Sequence, residues 1–184
     1  HLKLDPGGAI DASETARDLG QASADIVVLS AADNELAAFA AAARTLPDDF
    51  PSLQLTNTLA LAHPMAVDAY VERTLAQARI VVLRMLGGEG YWPHGVASLR
   101  ADALRRGTCF ACLPGELRWD AALASRGTVP LQHARALWRY CVEGGVDNAA
   151  LALRYAAHLI GHGPRPEAAR PMPPAGFWPG EPNR

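Results

Sequence analysis

Cysteine, net charge and long apolar runs are all scarce in this chain. Its three cysteines are an odd number in 184 residues, which argues against a disulfide framework. Lysine and arginine total 17 against 19 aspartates and glutamates, giving a formal net charge of −2 with no basic block. Nucleic-acid binding therefore has no electrostatic support. No apolar run approaches the roughly 20 residues needed to cross a bilayer, and no membrane association is expected. The opening HLKLDPGG lacks the charged and apolar regions of a secretory signal. The cytoplasm is the expected compartment.

What is present is ordinary for a globular domain: 49% hydrophobic and 20% charged residues. A chain of this length buries about 70% of its unfolded surface, enough for a sizeable core. The central stretch is Arg79 to Gly95, RIVVLRMLGGEGYWPHG. Ile80, Val81, Val82 and Leu83 form a β-branched run bounded by Gly87, Gly88 and Gly90, as in a strand buried on both faces of a parallel sheet. Residues after such a strand lie at its carboxyl end, where open α/β sheets bind ligands and partners.

Further strands are predicted over Asp25–Ser30, Leu53–Asn57 and Thr108–Leu113, with a weaker one at Leu2 and Leu4. Between them lie helical spacings. Leu36, Phe39, Ala40 and Ala43 predict a helix over Asp33–Leu46, with Ser30 and Asp33 offering capping oxygens. His63-Pro64 opens a helix carrying Val67, Tyr70, Val71, Leu75 and Ala78. Pro93 opens another, carrying Val96, Leu99 and Ala103 and stopped by Gly107. This alternation predicts an α/β fold, a flavodoxin-like doubly wound parallel sheet, over residues 1–126.

Residues 127–160 then read as an αα-hairpin packed on the sheet. Thr128 caps and Pro130 starts the first helix; Gly144-Gly145 ends it and Asp147 caps the second. Residues 161–184 are proline-rich and read as an extended linker to further chain, although Phe177 and Trp178 are unusual in a bare linker.

Several motifs have a plainer explanation than the chemistry they suggest. Cys109 and Cys112 have metal or redox spacing, but three residues apart on a strand they point to opposite faces. Gly88-Glu89-Gly90 starts like a dinucleotide fingerprint but lacks the third glycine. His158 and His162 share a helical face without a third metal donor beside them. Ser30 follows a strand but lacks the flanking glycines of a nucleophile elbow.

His63, Tyr91, Trp92, His94 and Glu116 form the more informative set, because the sheet would bring them to one rim. Tyrosine and tryptophan there suit a partner surface or a flat ligand; equally, Trp92 could plug the core while His94 caps a helix. The set contains no nucleophile paired with a base, so no catalytic residue and no metal ligand is assigned.

Five segments in order, DLGQASADIVVLSAADNELAAFA, LQLTNTLALAHPMAVDAYVERTLAQARIVVLRMLGGEGYWPHGV, TCFACLPGE, LWRYCVEGGVDNAALALRYAAHLIG and AGFWPG, resemble the amino-terminal region of the large subunit of aerobic cobaltochelatase (CobN-type), a relative of the magnesium chelatase large subunit. Joining HPM-x-VD-x-YVER to LGG-x-x-YWP-x-G is specific to that family. The departures are Ala66 in place of the usual serine, Thr56 and Thr58 in the strand-to-helix loop, and Glu116 where aspartate often follows LPG.

The resemblance implies a segment of a much longer subunit. The family reaction is ATP-dependent insertion of Co²⁺ into hydrogenobyrinic acid a,c-diamide, forming nitrogen–metal bonds on the aerobic route to cobalamin. It further implies a tetrapyrrole substrate, contact with the rest of the large subunit, and two smaller AAA+-type partner subunits that hydrolyse ATP. No cofactor is expected on this segment, which would enclose substrate or dock subunits. The alternative is a freestanding, non-catalytic α/β module binding a tetrapyrrole or a protein partner; a scaffold for the motor subunits is a third possibility.

Overall fold

A computed structural model describes residues 19–171. Its centre is an all-parallel four-stranded sheet of order β2-β1-β3-β4, with strands β1 Ile26–Ser30, β2 Leu53–Asn57, β3 Ile80–Met85 and β4 Cys109–Pro114. This is the flavodoxin-like strand order. The chain steps from β1 outward to β2, then crosses back over β1 to place β3 on its other side. The expected strand at Leu2 and Leu4, and the Phe177-Trp178 pair, lie outside the described residues.

Strand parity divides the core. Every residue of β1 and β3 is buried. Ile26, Val28, Ile80, Val82, Ala111 and Leu113 face a cluster containing Phe39, Leu137, Trp138 and Tyr155. Val27, Leu29, Val81, Leu83, Phe110 and Cys112 face Val67, Tyr70, Val96 and Leu99. Successive side chains on a strand point to opposite faces, so two helical layers each receive half of the sheet. Each fully buried Val, Leu or Ile contributes about 1.5–3 kcal/mol, which is why these runs are apolar without interruption until Arg84.

One layer holds α1 Asp33–Ala43, α5 Leu131–Glu143 and α6 Gly145–Leu159; the other holds α2 Pro64–Arg73 and α3 Pro93–Arg106. Helix starts follow local chemistry. Pro64 and Pro93 occupy first turns, where a missing N–H costs nothing. Gly107 ends α3 at φ 68°, a conformation that favours glycine. A short helix, α4 Ala121–Ala124, follows β4, capped by Asp120. The segment after α6 returns over the α5–α6 surface. Tyr140 donates to the Glu167 carbonyl at 2.5 Å, and Asn148 bonds both backbone groups of Arg170 at 2.8 Å.

The structure corrects several capping expectations. Residue Ala32 caps α1 without a side-chain bond, and the helix ends at Ala43, short of Leu46. Ser30 is turned instead toward Glu35. Thr128 does not cap α5; its hydroxyl accepts from Phe110 N–H at 2.8 Å and donates to the Thr108 carbonyl at 3.0 Å, closing part of the open edge of β4. Asp147 lies within the first turn of α6, where no side-chain cap forms.

Candidate functional site

The parallel register sets Ser30 level with Asn57 and Arg84, and Arg84 level with Leu113. The loops that follow all four strands therefore emerge on one side, the carboxyl edge. Between β1 and β3 the chain diverges to left and right, the switch point at which such sheets open a crevice.

The crevice carries a polar cluster that sequence spacing did not reveal. Arg84 is the one charge in the run IVVLRM and is only 6% exposed. Its Nε donates to Glu35 Oε1 on α1 at 2.7 Å, and its other nitrogens donate to the carbonyls of Pro114 and Gly115. Ser30 Oγ donates to Glu35 Oε2 at 2.6 Å and accepts from Ala32 N–H. Both carboxylate oxygens are thus engaged. A cleft of about 300 Å³ opens beside this network, walled by Leu86, Leu117, Tyr140 and the Gly144-Gly145 turn. Cys141 also lines it, its thiol pushed up to about 12, mainly by burial, so it is a poor nucleophile at neutral pH.

The five residues singled out from the sequence are placed as follows. Trp92 is 9% exposed, and its indole N–H donates to the Leu61 carbonyl at 3.1 Å. It packs so tightly on Gly95 that a Cβ there would lie 2.1 Å from the ring. Burial rather than contact describes this side chain. His63 caps α2, its Nδ1 accepting from Met65 N–H at 3.2 Å. His94 sits in the first turn of α3, with Nε2 2.9 Å from Asp68 Oδ1. Glu116 accepts from Gly87 N–H at 2.8 Å, and its carbonyl accepts from Trp138 Nε1 at 3.1 Å. Tyr91 is 65% exposed over the same glycine loop.

Tyr91 and Glu116 thus meet at Gly87, whereas His94 is bonded to α2 through Asp68. Gly87 and Gly88 adopt φ of 76° and 75°, which lets the loop fold back under Tyr91. Among the described residues, no group of three His, Cys, Asp or Glu side chains is arranged to hold a metal ion. Cys109 and Cys112 pack into opposite layers. His158 bonds the Gly163 carbonyl, while His162 stacks edge-on against Phe50. No described helix is long and apolar enough to cross a membrane.

What this edge can do is limited by its own bonding. The hydroxyl, both oxygens of the Glu35 carboxylate and the guanidinium are tied to each other or to backbone. Such a network fixes loops rigidly. Around it, the surface offers apolar and aromatic side chains.

No protein-family model matches the chain. It is 43% identical over 178 residues to the aerobic cobaltochelatase subunit CobN of a Sinorhizobium species, covering 97% of this chain and 14% of that protein. It is 42% identical over 148 residues to the subunit of the same name from Pseudomonas aeruginosa, covering 80% of this chain and 12% of that one. The fold resembles the catalytic subunit of cobaltochelatase from Mycobacterium tuberculosis, with a TM-score of 0.61 and 26% identity over 79% of this chain and 11% of that one. The chain thus spans about one seventh or less of the length of these relatives. Its sequence match and its fold likeness agree, and the chain belongs to the CobN family of aerobic cobaltochelatase subunits.

Proposed function

We propose that this chain acts as one segment of a cobaltochelatase large subunit, in the cytoplasm, and serves enclosure of the tetrapyrrole or docking of subunits rather than bond making. The reaction of the whole assembly would be insertion of Co²⁺, the metal substrate, into hydrogenobyrinic acid a,c-diamide, with ATP hydrolysed by two smaller AAA+-type subunits. The observation that carries the assignment is the 43% identity sustained over 97% of the chain. The non-catalytic role is supported by the carboxyl edge, whose polar groups bond one another, and by Trp92, which fills the core.

The test compares the complete large subunit with one lacking residues 19–171. Both are supplied with the corrinoid diamide, Co²⁺, ATP and the partner subunits. Cobalt insertion should fall at least tenfold in the deletion. Point variants Ser30→Ala and His94→Ala in the complete subunit should retain more than a third of the wild-type rate. Full activity without the segment would overturn the enclosure and docking role. Loss of turnover, with unchanged folding and assembly, from either point variant would overturn the non-catalytic assignment.

A further inference from the structure

Eight large apolar side chains stand exposed among the described residues. Six of them, Leu59, Met65, Leu86, Tyr91, Leu117 and Val146, belong to the carboxyl edge. Leu59 and Met65 follow β2, Leu86 and Tyr91 follow β3, Leu117 follows β4, and Val146 opens α6 beside the cleft. The other two, Leu104 and Leu131, lie near the end of α3 and the start of α5, toward the amino edge. An apolar concentration of this kind on one edge marks an interaction surface, whereas isolated apolar residues do not.

We infer that this rim is the face on which the rest of the long large-subunit polypeptide packs, through a predominantly apolar surface of its own. The inference rests on the reading of the chain as one segment of that subunit. Three observations select this occupant. The polar groups at the rim centre already bond one another, leaving little for a charged or hydrogen-bonding ligand to satisfy. The matched relatives carry roughly seven times as much polypeptide as this chain spans. Finally, the segment after α6 is led back to this same edge: Asn148, in the first turn of α6, holds the backbone of Arg170 on both sides. Arg170, near the end of the described residues, therefore lies at the rim.

Cysteine accessibility in the complete large subunit tests this. Leu117→Cys and Tyr91→Cys replace side chains that are 79% and 65% exposed in this chain. Met65→Cys serves if either fails to fold. Maleimide labelling of each site is read by peptide mass spectrometry and divided by the rate of the same variant in denaturant. In the folded subunit alone, labelling should be slowed at least tenfold. Rates within threefold of the denatured value would overturn the inference. So would protection that arises only on adding the partner subunits, or only on adding the corrinoid. The assay needs neither cobalt nor ATP. An active chelatase with an open rim would sink this inference alone, and an inactive one with a protected rim would sink only the proposed function.

Discussion

Arg84 on β3 and Glu35 on α1 form an ion pair at 2.7 Å, with side chains only 6% and 17% exposed. The pair lies where the loops after β1 and β3 diverge. Arg84→Met leaves Glu35 Oε1 and the carbonyls of Pro114 and Gly115 without the guanidinium, while Ser30 still donates to Oε2. Removing one member of a buried pair costs about 3 kcal/mol. Urea unfolding should show that loss. The double variant Glu35→Gln/Arg84→Met should lose less than the sum of the two single changes, and strict additivity would refute the coupling.

Gly95→Ala should destabilise the chain by about 2 kcal/mol through overpacking. The new methyl would lie 2.1–2.4 Å from three atoms of the Trp92 ring. Tryptophan emission should shift to the red as the indole is displaced from its bond with Leu61. A variant with unchanged midpoint and spectrum would show that this contact can relax.

Tyr70 is buried on the α2–α3 side of the sheet, and burial raises its hydroxyl from 10.0 to about 12, against the lowering effect of Thr56. Between these values the unfolded chain has released this proton and the folded chain retains it. Rising pH then favours unfolding. Stability should hold below pH 10 and fall through pH 12, by up to about 1.4 kcal/mol per pH unit from this group. In Tyr70→Phe the alkaline slope should be shallower, measured by denaturant titration at each pH.

Asn148→Ala removes two bonds to the Arg170 backbone and one to the Gly144 carbonyl, all at 2.8 Å. At about 1 kcal/mol per bond, the loss should reach about 2–3 kcal/mol. Hydrogen exchange at the Arg170 amide should accelerate at least tenfold while strand amides keep their protection. Equal acceleration throughout would mean that Asn148 supports the whole fold rather than this segment.

Much of the architecture could be read directly. Three apolar runs, the weakly alternating Leu53–Asn57, Pro64 and Pro93 at helix starts, and Gly107 as a stop all behave as their local chemistry requires. The divergence of Cys109 and Cys112 followed from strand parity alone. Caps were less legible, because an oxygen near a helix start has competing partners: Thr128 patches β4, and Ser30 serves Glu35. At the candidate site, the shared rim was legible from strand direction, whereas the Arg84–Glu35 pair was not. Its members are 49 residues apart and belong to no spacing motif. The single signal was a lone arginine in an otherwise apolar strand. The sequence left Trp92 with two roles, and burial against Gly95 resolves it toward packing.

Because every pairing among the described strands is parallel, none of these four can find its neighbour by a simple hairpin. Ile26 must wait for Leu53 on one flank and for Ile80 on the other. A ribosome making this stretch therefore releases β1 long before its second partner exists. Over that interval Ile26, Val27, Val28 and Leu29 lack one of their two shields. Chaperone capture during synthesis should accordingly be strongest on nascent chains arrested before Met85 has left the exit tunnel.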